Sequence, residues 1–446
     1  YETAGFNQLV LPFQYEDPAG DGDVREAMAF SFLLSNALDW APGCYCARHA
    51  YFVFKRTGAE ILRAGRTHDP ALISRLMTRW RTTHGFGGKL VHSKDGYTGR
   101  LLVFDANGKQ VSSNRYERAS GYFDLLGAMC ADAMRAAGYE PSPALIQHLK
   151  TKRCQDFQSI RDLGAAGLLE ERSGKEFGVY RSILQRDPGF VEVRYWAANQ
   201  GYWESDNRES YDRQKWISLE HYLVPAVLDD SRPTNPETGA QYTNALQKAA
   251  ALVGEDSPLV LANRLALMRK EHRFDASLVE RSMKMAGVYP NDYHLLAELI
   301  DLWSSGEIPG TFDSDLSASM ALAALQSRYM FGSSSGPQHR TTCLAVAMSS
   351  LGYHVAAARL HSIALEMAGE RGRAPKDMVW FADQAARSFT DIGQYEEAFN
   401  LHIRAMELCG DDPSSRSEQA FKASVDAALM GRYDIMESVM AHSGTN

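Results

Sequence analysis

Long hydrophobic runs are missing from this 446-residue chain. The longest candidates, such as Ala318–Leu325, are short and Ala-rich, far from the roughly 20 apolar residues that a membrane-spanning helix needs. Cysteine is scarce. The six present, at 44, 46, 130, 154, 343 and 409, form no CxxC pair, which leaves zinc-ribbon and thioredoxin-type motifs unsupported. An excess of positive charge is missing too. Lys and Arg number 47 against 55 Asp and Glu, a net charge of −8, which opposes nucleic-acid binding as the main role. The small basic cluster Lys150–Arg153 has Asp156 close behind it and reads as a solvated linker.

Catalytic signatures are absent on closer reading. "GSSSG" (Gly332–Gly336) matches the G-x-S-x-G pattern by letters, but that chemistry needs serine on a sharp strand-to-helix turn. Here a helical stretch precedes it and Pro337 follows, as in an interhelical loop. "GFGGK" (Gly85–Lys89) lacks phosphate-loop spacing, and Leu90 replaces the metal-binding hydroxyl; it reads as a loop entering a strand. His68, His84 and His92 share no helical spacing and read as scattered structural histidines. "CYC" (Cys44–Cys46) could ligate a metal with His49, or one thiol could pair with Cys130, which would imply an oxidising compartment; distant pairing or free thiols is the plainer reading. We therefore expect no catalytic residue, no cofactor and no metal, and not an enzyme.

What is present is ordinary globular composition, 45% hydrophobic and 23% charged, at a length that suits two to four domains. The chain starts at Tyr1, which reads as a mature or trimmed form whose signal peptide or lipid anchor would be out of view.

Two grammars divide it. Residues 1–140 alternate strands and helices. "NQLVLPF" (Asn7–Phe13) is an apolar run suited to a buried strand. In Asp23–Trp40 an Asp cap and Glu26 three residues later precede apolar positions at Ala27, Phe30, Leu34 and Leu38, an amphipathic helix. Cys44–Arg56 suits a strand at its later end. In His68–Trp80, Asp69 caps, Pro70 takes the first helical position, and Leu72, Leu76 and Trp80 share a face. Asp95-Gly96 and Asn107-Gly108 are hairpin dipeptides, because Asn, Asp and Gly tolerate positive φ; they mark a three-stranded antiparallel meander. Tyr122–Gly138 is a helix ending at glycine. "GYEPSP" (Gly138–Pro143) then marks a domain boundary.

From residue 141 to 446 the pattern is helical throughout. Gly352-Tyr353, Gly393-x-Tyr395 and Gly431-x-Tyr433 each sit between two helical patterns, 41 and 38 residues apart. In "DIGQYEEAFNLHIRAMELCGDDP" (Asp391–Pro413), Ala398 and Ala405 lie two helical turns apart and share a face. Small residues there let a second helix approach, Phe389 fills the larger gap, and the final acids and proline punctuate the pair. The stretch Met378–Pro413, with Ala386, Phe389, Gly393, Tyr395, Ala398 and Ala405 in place, resembles a tetratricopeptide repeat. Its looser neighbours keep Gly352, Tyr353, Gly431 and Tyr433, and weaker pairs fall at Gly174–Trp203, Ser257–Gly287 and Tyr289–Tyr329. The resemblance implies an all-α solenoid whose concave surface binds proteins or peptides.

Residues 6–138 resemble the amino-terminal domain of the TolB family, including its FlgO-like members. "LVLPF" leads into a long helix, and a second helix precedes "GFGGKLVHSKDGYTGRLLVFDANGKQVSS", with Phe104-Asp105 and Asn107-Gly108 at the family's strand end and turn. No β-propeller follows. The resemblance implies a mixed α/β domain that contacts other envelope proteins, often periplasmic or lipid-anchored and followed by helical repeats.

The combined expectation is an α/β domain over 1–140 and a tetratricopeptide-like solenoid over 141–446, acting as a non-enzymatic scaffold for partner proteins in a bacterial envelope or surface complex. It binds no nucleic acid, and any membrane association runs through a partner or an anchor. The expected compartment is the periplasm or another extracytoplasmic space, with the cytoplasm as the alternative. "YWAANQGYWESDNRESYDRQKW" concentrates candidate anchors, Tyr195, Trp196, Tyr202, Trp203, Tyr211 and Trp216: interface residues if exposed, repeat core if inward. The alternative function is a regulatory sensor with a small-ligand pocket near residues 10–20 and 84–90.

Overall fold

The computed structural model describes residues 8–18, 20, 22–44, 68–80, 82–117, 121–167, 175–197, 223–225, 228, 236–289, 292–304, 338, 341–342, 344–345, 348–349, 352–370, 373–410 and 412–442. An N-terminal mixed sheet of five strands is followed by a mostly helical region. The chain separates into two compact units, Tyr1–Leu295 and Leu296–Asn446. Each is described in turn.

In the first unit, β1 (Gln8–Val10) and β2 (Gln14–Glu16) run parallel to successive parts of β3 (His84–Ser93). Antiparallel β4 (Gly96–Phe104) and β5 (Gln110–Tyr116) complete the sheet. Both hairpin dipeptides turn as their chemistry requires, with Gly96 at φ 112° and Gly108 at φ 77°. "GFGGK" is part of β3 itself. A Cβ on Gly88 would stand 1.9 Å from the Arg100 carbonyl oxygen, so glycine there allows the close approach of β3 and β4.

One sheet face packs on α1 (Arg25–Leu38) and α3 (Tyr122–Ala136). The other is covered at one end by α2 (Pro70–Trp80), where Ile73, Leu76 and Met77 meet Leu9, Leu11, Leu102 and Phe104. The strand expected within Cys44–Arg56 falls almost wholly outside the described residues.

The "GYEPSP" break lies inside this unit. Gly138, at φ 89°, ends α3, and the Ser142 hydroxyl caps α4 (Pro143–Lys150) by accepting the Leu145 N–H at 3.0 Å. After it come α5 (Gln158–Ala166), α6 (Lys175–Arg186), α7 (Pro236–Val253), α8 (Pro258–Glu271) and α9 (Ala276–Val288). One continuous core runs from Val10 through Leu163, Tyr195 and Tyr242 to Val260. The division near 140 read from the sequence is thus a helix-to-helix joint, and the compact unit extends to Leu295.

Glu26 explains why. Its side chain is fully buried. One carboxylate oxygen accepts the Tyr15 hydroxyl at 2.8 Å and the Tyr97 hydroxyl at 3.0 Å; the other accepts Arg161 Nε at 2.9 Å and the Asp23 N–H at 3.2 Å. Two strands, the start of α1 and helix α5 therefore converge on one anion. Burial, together with this carboxylate, pushes both phenols above their usual range, so they stay donors. Beside it, α5 presses against α1 so closely that a Cβ on Gly164 would stand 1.9 Å from the Arg25 carbonyl oxygen.

In the second unit the described helices follow one another in chain order, each packed on the next. They are α11 (His354–Glu370), α12 (Pro375–Asp391), α13 (Tyr395–Leu408), α14 (Pro413–Leu429) and α15 (Tyr433–His442); α10 (Tyr293–Ser304) spans the division between units. Among the described residues no helix is long and apolar enough to cross a membrane.

Two substitutions test the junction. Glu26→Ala strands the Tyr97 hydroxyl, which is buried, the partly buried Tyr15 hydroxyl and the Arg161 guanidinium, and should lower the unfolding free energy by about 3 kcal/mol. Gly164→Ala forces α5 off α1 and should cost about 1–3 kcal/mol. Val111→Ala, on exposed β5, should stay within about 0.5 kcal/mol. Urea denaturation of the three variants checks the order.

Candidate functional site

Local chemistry sets the C-terminal helices. Asp412 caps α14, its Oδ1 accepting the Ser414 and Ser415 N–H groups at 3.1 and 3.3 Å, with Pro413 at the first position. Gly393 and Gly431, at φ 76° and 74°, make the left-handed turns that open onto α13 and α15; Gly352, at φ 85°, does the same before α11.

Ala386, Ala398 and Ala405 are fully buried between helices, while Phe389 and Tyr395 are half-buried. Tyr353 and Tyr433 differ from the packing role expected for them. Each starts or immediately precedes a helix on its outer side, and they stand 51% and 62% exposed.

Helix α14 carries the most unusual surface. Its buried side is built from Ala420, Ala423 and Ala427, the first two packed against Phe399, Ile403 and Met406 of α13 and Ile435 and Val439 of α15. Its larger apolar residues face out: Phe421 is 60% exposed, Val425 41% and Leu429 50%. Four-residue steps place the three on one face, each turned roughly 40° from the last. On α12, Trp380 is exposed as well. A helix that buries its alanines and exposes a Phe-Val-Leu stripe leaves its main apolar area for something else to cover.

A buried ionic network joins α12, α13 and α14. His402 of α13 lies 2.6 Å from Asp426 of α14 through Nδ1, and its Nε2 is 3.6 Å from Asp383 of α12. Lys422 Nζ donates to Asp383 at 2.7 Å, Arg387 pairs with it at 3.0 Å, and the Thr390 hydroxyl donates to Asp426 at 2.9 Å. Burial disfavours the imidazolium, but Asp383 and Asp426 outweigh it and raise the His402 pKa. Burial likewise opposes the Asp383 carboxylate, but His402, Lys422 and Arg387 hold it below the usual range. Ionisable residues from three successive helices, Asp383 and Arg387 on α12, His402 on α13, and Lys422 and Asp426 on α14, thus tie the helices to one another.

His361 contrasts with it. Burial lowers its pKa to about 4, so it is neutral, and its Nδ1 lies 2.6 Å from the Ser388 hydroxyl. Both residues are buried, and that hydroxyl donates to the Gln384 carbonyl of its own helix at 3.2 Å. The pair is a packing contact without access for a substrate.

The aromatic anchors fall elsewhere. Tyr195 is only 2% exposed and belongs to the core of the first unit, its ring edge-on to Trp196 at 5.1 Å; half-buried Trp196 in turn packs on Phe32. Tyr195 therefore takes the inward alternative. Tyr202, Trp203, Tyr211 and Trp216 lie outside the described residues, as do Cys46, His49 and "GSSSG". Cys44 and Cys130 are buried free thiols, each pushed up to about 12 by burial, so the Cys44–Cys130 pairing considered from sequence is not formed. Among the described residues no group of three or more His, Cys, Asp or Glu is placed to hold a metal ion.

The signs of the two shifts define a pH window. The His402 contribution is complete below its unfolded pKa of 6.5 and is lost as pH rises through the raised folded value. The Asp383 contribution is complete above its unfolded pKa of 3.8 and is lost as pH falls through the depressed one. Both are complete between those two limits. His402→Gln should therefore destabilise the second unit more at pH 5.5 than at pH 8.5, as read by hydrogen exchange in α12–α14. Equal effects at both pH values would mean that His402 is neutral.

No protein-family model matches this chain, and no curated protein matches it.

Proposed function

We propose that the chain is a non-enzymatic scaffold that binds partner proteins through its C-terminal helices, stacked as tetratricopeptide-like repeats. The exposed Phe421, Val425 and Leu429 stripe on α14 carries this reading. Three large apolar side chains on one turn-aligned face are what a partner helix or apolar loop buries, and aromatic anchors of this kind concentrate binding energy. The ionic network adds a second support. It holds α12, α13 and α14 in one arrangement, so the surface is presented preorganised and little ordering cost falls on association. The sequence resemblance of residues 6–138 to envelope domains makes partners in a bacterial envelope or surface complex the class to look for.

The test joins partner capture to site specificity. Purification at endogenous level with cross-linking mass spectrometry should place cross-links from one stoichiometric partner on residues 413–442. Phe421→Ser should weaken that association by roughly thirtyfold or more, the effect of losing an anchor of about 2 kcal/mol, while leaving thermal stability unchanged because the side chain is exposed. An association indifferent to Phe421→Ser and Leu429→Ser would sink the proposal.

A further inference from the structure

Strands β2 to β5 set four polar residues at one register. Gln14 lies opposite Lys89, Lys89 opposite Arg100, and Arg100 opposite Arg115. Directly opposed residues project from the same face of a sheet. Their chain neighbours Leu90 and Leu101 are fully buried in the main core, so this row stands on the other face. All four residues line a concave cavity of about 450 Å³, within the range of small-molecule sites. At about 4.8 Å per strand, Lys89 to Arg115 spans roughly 10 Å.

Like charges placed directly opposite one another destabilise a sheet. Here three stand in line. Lys89 is offset by its ion pair with Glu16. Neither Arg100 nor Arg115 forms an ion pair or side-chain hydrogen bond among the described residues. The described lining holds one acid, Glu117, at the exposed end of β5. A second observation comes from the same wall. His68 lines the cavity with its Nε2 buried; burial lowers its pKa against a backbone hydrogen bond with Gly88 that raises it, which keeps the ring neutral.

We infer that this cavity binds a small phosphate-bearing molecule. Two guanidiniums side by side suit oxyanions, because each planar fork can donate two parallel hydrogen bonds to one group. A single carboxylate would neutralise one position of the row. A ligand with two or more negative charges, such as a diphosphate or an organic phosphate ester, matches its length and its charge. Thr98 and Gln14 offer neutral hydrogen bonds beside the cations, and Val91 and Leu102 give apolar wall for an organic moiety. A concave volume of this size within a chain of net charge −8 favours a small ligand over a nucleic-acid backbone. The inference goes beyond the scaffold reading and does not rest on it.

Calorimetry and thermal melts of the full chain with inorganic pyrophosphate, against sodium chloride of matched ionic strength, test it. The expected result is saturable binding and a higher Tm with pyrophosphate only. Arg100→Gln should weaken binding by roughly tenfold or more and, because it relieves like-charge contact, should leave the ligand-free Tm unchanged or raised. Arg115→Gln, on the exposed edge strand, should weaken binding in the same direction. Matched melts in pyrophosphate and chloride would overturn the inference. So would wild-type affinity in both variants, or binding of a glutamate-rich peptide or a dicarboxylate in place of pyrophosphate.

Discussion

In the first unit the sheet, α1 and α5 meet at the buried Glu26 carboxylate. A lone anion in an apolar core is prohibitively costly, and this one is admitted because four donors surround it: two phenols from the sheet, one guanidinium from α5 and one backbone amide at the start of α1. Those donors come from segments more than a hundred residues apart in sequence. Removing any one element leaves the anion underpartnered, so the sheet and the helix after the "GYEPSP" joint are bound to a common geometry. The tight approach of Gly164 to the Arg25 carbonyl enforces the same contact sterically.

The second unit uses the same device in another form. His402 sits between Asp426 and Asp383, and Lys422 and Arg387 both pair with Asp383. In both units a buried polar group specifies how elements meet, while alanines and glycines set how closely they meet. Buried ionic groups of this kind are better read as specifying register than as large net stabilisers. The preorganised outer face of α14 follows from that register.

Much of the local structure was legible. The capping pattern Asp23 to Glu26, the hairpin dipeptides Asp95-Gly96 and Asn107-Gly108, and Pro70 at a helix start each act within a few residues, where sequence and structure share one cause. The extent of the first unit was not legible. Gly138 and Pro143 punctuate helices identically whether the next helix starts a new domain or packs back on the old one, and only Arg161 and Gly164, far along the chain, decide it. The candidate surface was hidden for a related reason. In "QAFKASVDAAL" both the alanine face and the Phe-Val-Leu face are apolar, and size alone would assign the larger residues inward. The close approach of α13 and α15 reverses that assignment. The cationic row was invisible because Lys89, Arg100 and Arg115 meet only once strand register is known. Glu26 itself read as half of a capping box, and one of its oxygens does accept the Asp23 amide; its other partners are long-range.

Glu26 ties the sheet to the helices after residue 140, which should make them one cooperative unit. Native-state hydrogen exchange on the full chain, followed across a denaturant series, addresses it most directly. Amides of β3, β4 and α5 should share one opening free energy, and Glu26→Ala should lower all three together. If β3 and β4 opened independently of α5, or if Glu26→Ala lowered one set alone, the sheet would be a separate domain and the account would be contradicted.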